Sequence, residues 1–335
     1  MVIDNAFFMS LAISEAWKYQ GLTYPNPAVG CCVVGQNGEI LALNAHQKAG
    51  EPHAEVMALK DAYFKLTNDS AILGISTSQE IHDFLLKYHN DLFKNTSVYA
   101  TLEPCSHVGK TPSCASLLAS LGVKKVFVGS TDFNADAAKG ASVLERSGSH
   151  VQTNVLKKEC DALLYPFKKF LNEKFVFFKW AQRLNATMDD GDISSFESRK
   201  NVHAMRDVCD LLVVGGNTVR VDRPTLDSRL VDGKAPDILI ISRGEDFDET
   251  IPLFGVQNRK VFIENNFSKL NDYKNIMIEG TDSMYGLTRD IVDYYLCYLA
   301  PAFGGKNGFQ AKDEKFEILN IEKEDRDIIM WMKRI

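Results

Sequence analysis

The chain has 335 residues and a net charge of −6, with 45 % hydrophobic and 24 % charged residues, an ordinary composition for a soluble globular protein. Its length is past the size at which a single core keeps growing, so two domains are expected. The acidic balance argues against a broad nucleic-acid-binding surface, and no apolar stretch approaches the length of a membrane span.

In chain order, Met1 to Gln20 carries Asp4 and Glu15 within a helical pattern of Phe7, Leu11, Ala12 and Ala16, which predicts a packed helix rather than a secretion signal. Val29–Val34 reads as a short apolar strand, handed over by the turn Gln36-Asn37-Gly38 to a second strand at Glu39–Leu43. Pro52 just before His53 fits a helix that starts there and runs through Ala58 and Leu59. Residues 68–95 are polar around an amphipathic piece (Ile81, Phe84, Leu85, Tyr88) and read as an inserted helix and loops. A buried strand follows at Val98–Leu102, then a helix from Cys114 to Leu121 and a strand at Lys125–Gly129.

A Lys-rich helix over Val155–Phe170, interrupted at Pro166, is expected to bridge the domains. Beyond it come a strand at Phe175–Ala181 and a helix over Ser195–Arg206. Strands are predicted at Leu211–Val214, Asp237–Ile241, Lys260–Ile263, Asn275–Ile278 and Val292–Leu299, and a closing hairpin over Lys315–Arg334 that turns near Glu324-Asp325. The alternation predicts an α/β fold, its second sheet mostly parallel with an antiparallel edge.

Three residues carry the chemistry. A lone histidine is usually a satisfied polar group, and a free cysteine a small buried hydrophobe. His53, Cys105 and Cys114 instead come with an acid, Glu55, two positions after the histidine and a proline, Pro104, before the first cysteine. One imidazole and two thiolates can hold Zn2+ and leave the fourth tetrahedral position to water. Glu55 is placed to take a proton from that water and deliver it to a leaving amine. This is the zinc deaminase signature, which base deaminases carry as H-x-E…P-C-x-x-C; here the second half is P-C-x8-C. Cys31, Cys32, Cys160, Cys209 and Cys297 show no paired spacing and read as core residues. Scattered thiols point to a reducing, cytoplasmic setting.

The first half resembles the deaminase domain of the bifunctional riboflavin-biosynthesis deaminase/reductase family. The match lies in Pro25-Asn26-Pro27-Ala28-Val29-Gly30, in His46 with Gly50, in His53-Ala54-Glu55 and in the run from Thr101 through Glu103-Pro104-Cys105-Ser106-His107-Val108-Gly109-Lys110 to Cys114. The long cysteine spacing sets this family apart from nucleoside and nucleic-acid deaminases. The resemblance implies that His53, Cys105 and Cys114 bind zinc, that Glu55 shuttles the proton, and that Asn26, His46, His107 and Lys110 hold a pyrimidinone and its ribose phosphate. The chemistry agrees: an amide can offer both donor and acceptor to a ring edge, and a lysine can act as a point charge for phosphate.

The second half resembles the family's reductase domain. Val202-His203-Ala204-Met205-Arg206 matches V-H-x-L-R, and Gly215-Gly216-Asn217-Thr218-Val219 with Asp222 to Arg229 matches G-x-G-T-V…D-x-P-x-L-T-x-R. Two places depart from the pattern: Arg183-Leu184-Asn185-Ala186 stands for S-L-D-G, and Gly280-Thr281 for the glycine pair of E-G-G. The resemblance implies NADPH as hydride donor and substrate or cofactor contacts at Lys179, Ser194, Arg206, Gly215, Gly216, Thr218, Asp222, Leu226, Arg229 and Glu279. Glycines after a strand let backbone N–H groups approach a pyrophosphate, and Arg206 and Arg229 suit a substrate phosphate.

The expected architecture is therefore a cytidine-deaminase-like three-layer domain over 1–150, a linker helix over 151–174 and a dihydrofolate-reductase-like domain over 175–335. The expected function is zinc-dependent deamination of a small phosphorylated ribosylaminopyrimidine followed by NADPH reduction of its ribosyl group, without nucleic-acid or membrane partners. Homo-oligomerisation stays open. Two rival readings are a nucleotide or RNA deaminase, and a deaminase whose second half is a non-catalytic scaffold.

Overall fold

The computed structural model describes residues 3–106, 112–132, 139–189, 191–244, 246–310 and 313–335. The chain divides into two compact units, Met1–Leu171 and Asn172–Ile335. In the first, α1 (Asn5–Trp17) starts where the Asp4 carboxylate accepts from the Phe7 N–H at 3.0 Å, one N-terminal donor satisfied by a side chain. Next come β1 (Gly30–Val34), β2 (Ile40–Ala45), α2 (Ala54–Thr67), α3 (Ser78–Tyr88), β3 (Ser97–Leu102), α4 (Cys114–Ser120), β4 (Lys125–Ser130), α5 (Gly140–Arg146), β5 (His150–Gln152) and α6 (Lys157–Asn172). The strands form one sheet in the order β2-β1-β3-β4-β5. β1 pairs antiparallel with β2 and β3, and the rest is parallel.

Both faces of this sheet are covered, which is why β1 is buried along its whole length. Cys31 and Val33 join Val98 and Val126 in the core cluster that also holds Val56 and Leu59 of α2. On the opposite face Phe8 of α1 meets Tyr99, which stacks on Phe127 at 4.5 Å. The alternation follows from the two-residue period of a strand. A Cβ at Gly30 would lie 1.9 Å from the Ala12 carbonyl oxygen, so only glycine lets α1 come this close.

One expectation changes here, and the expected inserted helix is present. The helix expected to break at Pro166 runs through it unbroken as α6. Proline removes one N–H from the ladder, and burial of Cys160, Leu163, Leu164 and Phe170 along the helix offsets that loss. Leu164 belongs to the first unit's core cluster. The amphipathic piece of 68–95 is α3, held at its start by Thr77, which accepts from the Glu80 N–H.

The second unit contains β6 (Phe175–Arg183), α7 (Phe196–Val208), β7 (Leu211–Gly215), α8 (Gly216–Asp222), β8 (Asp237–Ile241), α9 (Pro252–Gly255), β9 (Val261–Glu264), β10 (Asn275–Glu279), α10 (Asp282–Thr288), β11 (Tyr294–Ala300), β12 (Phe316–Glu324) and β13 (Asp327–Arg334). Its sheet runs β12-β13-β11-β6-β10-β7-β8-β9. From β11 to β9 the pairs are parallel, and β13 and β12 form the antiparallel edge. Parallel strands covered on both faces read as continuous apolar runs, as Leu211–Val214 does. Its core joins Val176, Phe178, Ile278 and Tyr295. The short helices α8 and α10 were not expected; seven residues each give too few turns for a clear period.

Candidate functional site

The first unit brings its motif residues to one place from separate elements. His53 is the N-cap of α2, with Glu55 in that helix's first turn. Cys105 follows the carboxyl end of β3, and Cys114 opens α4. The start of α4 is tied to the Cys105 carbonyl, to which the Ala115 N–H and the Ser113 hydroxyl both donate, at 3.1 and 2.9 Å. The Cys114 N–H points at the Cys105 sulfur, 3.4 Å away. His53 Nδ1 lies 3.8 Å from Cys105 Sγ and 3.4 Å from Cys114 Sγ, and the three ligand atoms lie within 4.8 Å of one another.

The Cys114 thiol donating to Cys105, with help from His53, holds Cys105 below the ordinary thiol range, while Cys114 is pushed well above it by the same bond and by burial. Glu55 is buried at 4 % exposure, and burial raises its carboxyl.

Asn26, His46, His53, Glu55 and Cys105 line a single cavity of about 270 Å³. His46 is buried, and burial pushes it down to about 4, so its ring is neutral at pH 7. Its Nδ1 faces the Pro52 carbonyl at 3.2 Å. A carbonyl only accepts, so Nδ1 carries the hydrogen and Nε2 is left as acceptor. The Asn26 amide NH2 donates to that Nε2 at 3.0 Å. The imidazole thereby fixes the amide, and Oδ1 remains as the acceptor Asn26 can present to a ligand. His107 and Lys110 lie outside the described residues.

In the second unit Lys179, Ser194 and Arg206 line a cavity of about 230 Å³ that His203 also borders. Arg206 is less open to phosphate than its sequence suggests. Its Nε and Nη2 donate to the two oxygens of Glu279 at 2.9 and 3.0 Å, and its Nη1 to the Asp227 carbonyl at 3.3 Å. Lys179 Nζ stands 3.8 Å from the same carboxylate. Burial would raise the Glu279 carboxyl, but Arg206 and Lys179 outweigh it and hold it below the usual carboxylate range. Burial, then Arg206, lowers His203 to about 4; its 3.9 Å approach to Asp227 is therefore not an ion pair at neutral pH.

The other predicted residues of this unit do not border that cavity. Gly215 ends β7, and Gly216 and Thr218 lie in the first turn of α8. A Cβ on Gly216 would meet Ser242 Cβ at 2.7 Å, which explains that glycine by packing alone. Asp222 is exposed at the end of α8, while Leu226 is buried with φ 55°. The Arg229 side chain, 60 % exposed, pairs with Asp227 at 2.7 Å.

Comparison with known proteins bears on both units. The cytidine and deoxycytidylate deaminase zinc-binding region matches residues 3–130, and the RibD C-terminal domain matches residues 175–329. The riboflavin biosynthesis protein RibD of Actinobacillus pleuropneumoniae is 31 % identical over 351 aligned residues, covering 91 % of this chain and 85 % of that protein. The chain belongs to the RibD family. RibD of Aquifex aeolicus (strain VF5) is 29 % identical over 375 aligned residues, 98 % of each chain. A solved structure from Thermotoga maritima, a diaminohydroxyphosphoribosylaminopyrimidine deaminase/5-amino-6-(5-phosphoribosylamino)uracil reductase, has a TM-score of 0.66 and 26 % identity, covering 99 % of each chain. As in the bifunctional enzymes of riboflavin biosynthesis, a deaminase domain with a zinc-binding region and a reductase domain are both present.

Several residues around the RibD-family site went unnoticed in the sequence. Glu103 is buried and accepts from three backbone N–H groups, of Asp132, Lys139 and Ala141, at 3.3, 3.1 and 2.9 Å. It ties the start of α5 to the strand end that carries Cys105. A Cβ on Gly140 would stand 1.8 Å from the Pro104 carbonyl oxygen, so the fit of α5 against that strand end requires glycine. Asp132, which also lines the first cavity, follows the carboxyl end of β4. That is where open α/β sheets place ligands, and the rule would have singled it out.

Proposed function

We propose that the first unit removes the 2-amino group of 2,5-diamino-6-ribosylamino-4(3H)-pyrimidinone 5′-phosphate as ammonia, by addition of water, and that the second reduces the ribosyl group to ribityl with NADPH. The observation that carries this reading is the meeting of His53, Cys105 and Cys114, the first two of which line a cavity together with Glu55, Asn26 and His46. The donors fit zinc: bonds of about 2.0 Å to nitrogen and 2.3 Å to sulfur put tetrahedral ligand atoms about 3.5 Å apart, against 3.4 and 3.8 Å here. Imidazole and thiolate together also select that metal.

When bound, zinc supplies the Lewis acidity that makes water a nucleophile near neutral pH. The buried Glu55 carries the proton from water to the departing amine. Asn26, locked by His46, accepts from the ring edge through Oδ1. His107 and Lys110 hold the ribose phosphate in this reading. In the second unit NADPH supplies the hydride when bound, and the protein supplies position and field. Gly215, Gly216, Thr218, Asp222 and Leu226 are assigned to cofactor or substrate contacts, with Lys179, Ser194, Arg206 and Glu279 around the reacting sugar and Arg229 on the phosphate. The net charge of −6 and the free, buried cysteines support a cytosolic enzyme that binds no nucleic acid. Among the described residues no helix is long and apolar enough to cross a membrane.

The deciding experiment supplies the diamino substrate with and without NADPH and identifies products by mass. Deamination alone without NADPH, and deamination with reduction in its presence, is the expected result. No NADPH consumption with the deaminated intermediate would favour the scaffold reading of the second half. Cys114→Ala is expected to fall well below the one zinc per chain of the unsubstituted protein, read by metal analysis, and full retention would remove Cys114 from the ligand set. Arg229→Ala is expected to slow reduction by about tenfold through loss of a charge-assisted contact, with deamination unchanged. Equal loss of both activities would contradict that role.

A further inference from the structure

The cavity of the first unit mixes polar lining with apolar residues such as Val29 and Leu102, and α6 adds two more, Phe167 and Leu171. They stand four apart, so they share one stripe of the helix. The helix's other large apolar residues serve the fold: Leu163, Leu164 and Phe170 are buried, and Phe170 packs edge-on against Tyr24 at 4.6 Å. Phe167 is only half-buried and Leu171 is 38 % exposed, and neither belongs to the buried core cluster. An apolar pair left out of the core and bordering the cavity that Asn26, His46 and Glu55 also line has surface to offer a ligand. Among the described residues that line the cavity, Phe167 carries the one phenyl ring.

A pyrimidinone has a polar edge and two apolar faces. The edge is answered by the fixed amide of Asn26; a face needs flat apolar surface, which an aromatic ring gives with little entropy cost. We propose that Phe167 packs against a face of the substrate's pyrimidinone ring, with Leu171 beside it, and that α6 thereby makes the site select a flat aminopyrimidine rather than a sugar phosphate alone. This inference rests on the deaminase reading above and adds to it a specificity-determining residue.

The test uses the full chain carrying Glu55→Gln, so that binding can be followed without turnover, and two probes: the diaminopyrimidinone ribosylamine phosphate and ribose 5-phosphate, which lacks the ring. Adding Phe167→Ala is expected to weaken the first roughly tenfold or more, the scale of removing an aromatic from under a base, and to leave the second unchanged. Phe167→Leu, which keeps apolar contact but not the ring, should fall in between and guards against a folding defect in the alanine variant. Zinc content and melting temperature should stay at the parent values. Equal weakening of both probes, or none of either, overturns the proposal. Ammonia release by the unsubstituted chain reports separately on the deaminase reading. Its absence alongside a ring-dependent loss would sink the reaction and leave the packing role standing; a parent chain that binds no ring-bearing probe sinks both.

Discussion

Replacing Glu55 by glutamine is expected to lower deamination by at least about 10²-fold, the usual scale for losing general acid–base catalysis, while zinc stays bound. The two side chains have nearly the same size, so the first turn of α2 and the N-cap His53 should keep their places. What changes is proton traffic. Glu55 is buried, and burial raises its carboxyl, so it takes up a proton more readily than an exposed acid. An amide can still hydrogen-bond in that position but cannot accept a proton from water and pass it to an amine. The proposed ligand atoms belong to His53, Cys105 and Cys114, and none is touched by the substitution. Initial rates of ammonia release, with zinc per chain measured on the same sample, check this. Turnover near that of the unsubstituted protein would exclude Glu55 as the shuttle. Loss of the metal would instead show that it supports the ligand set.

The zinc site was legible because its information is local. His53 and Glu55 share one helix start, and Cys105 and Cys114 share one loop, so spacing along the chain already encodes the geometry. The strands read well for a similar reason: Val98–Leu102 and Leu211–Val214 are buried on both faces, and their apolar runs say so. What escaped depends on distant segments. Glu103 sits within the recognised run, yet its role rests on the backbone N–H groups of residues 132, 139 and 141, which no pattern around Glu103 announces. Pro166 suggested a break, and the cost of proline was outweighed by tertiary burial that a helix-by-helix reading does not see. Phe167 drew no attention for a related reason, since a helix expected to bridge domains has no evident reason to line a cavity. In the second unit the glycines where β7 meets α8 suggested a cofactor cradle, and the packing of Gly216 against Ser242, a second reason for glycine there, was out of reach of any local pattern.

Glu279→Ala should strongly destabilise the second unit. In the native protein one carboxylate takes two hydrogen bonds from Arg206 and has Lys179 3.8 Å away. The side chains of Arg206, Lys179 and Glu279 are 11 %, 14 % and 15 % exposed. Alanine leaves two cations in a poorly solvated place with no counter-charge among these three. Breaking a buried pair from one side costs about 3–5 kcal/mol, a large share of the 5–15 kcal/mol that holds a domain folded. Glu279→Gln keeps an acceptor for one Arg206 donor and should cost less. The first unit has its own core, so zinc content and deamination should persist. The effect also carries a pH signature. Because Glu279 is held below the usual range in the folded state, its contribution is complete above the ordinary unfolded carboxylate value of about 4.3 and is lost as pH falls through the lower folded value. Urea melts followed by a probe in the second unit should therefore show a wide gap between the native chain and Glu279→Ala at pH 7, narrowing in acid. A midpoint at pH 7 equal to that of the native chain would mean that Arg206 and Lys179 find solvent without Glu279 and that this carboxylate does not hold the unit together.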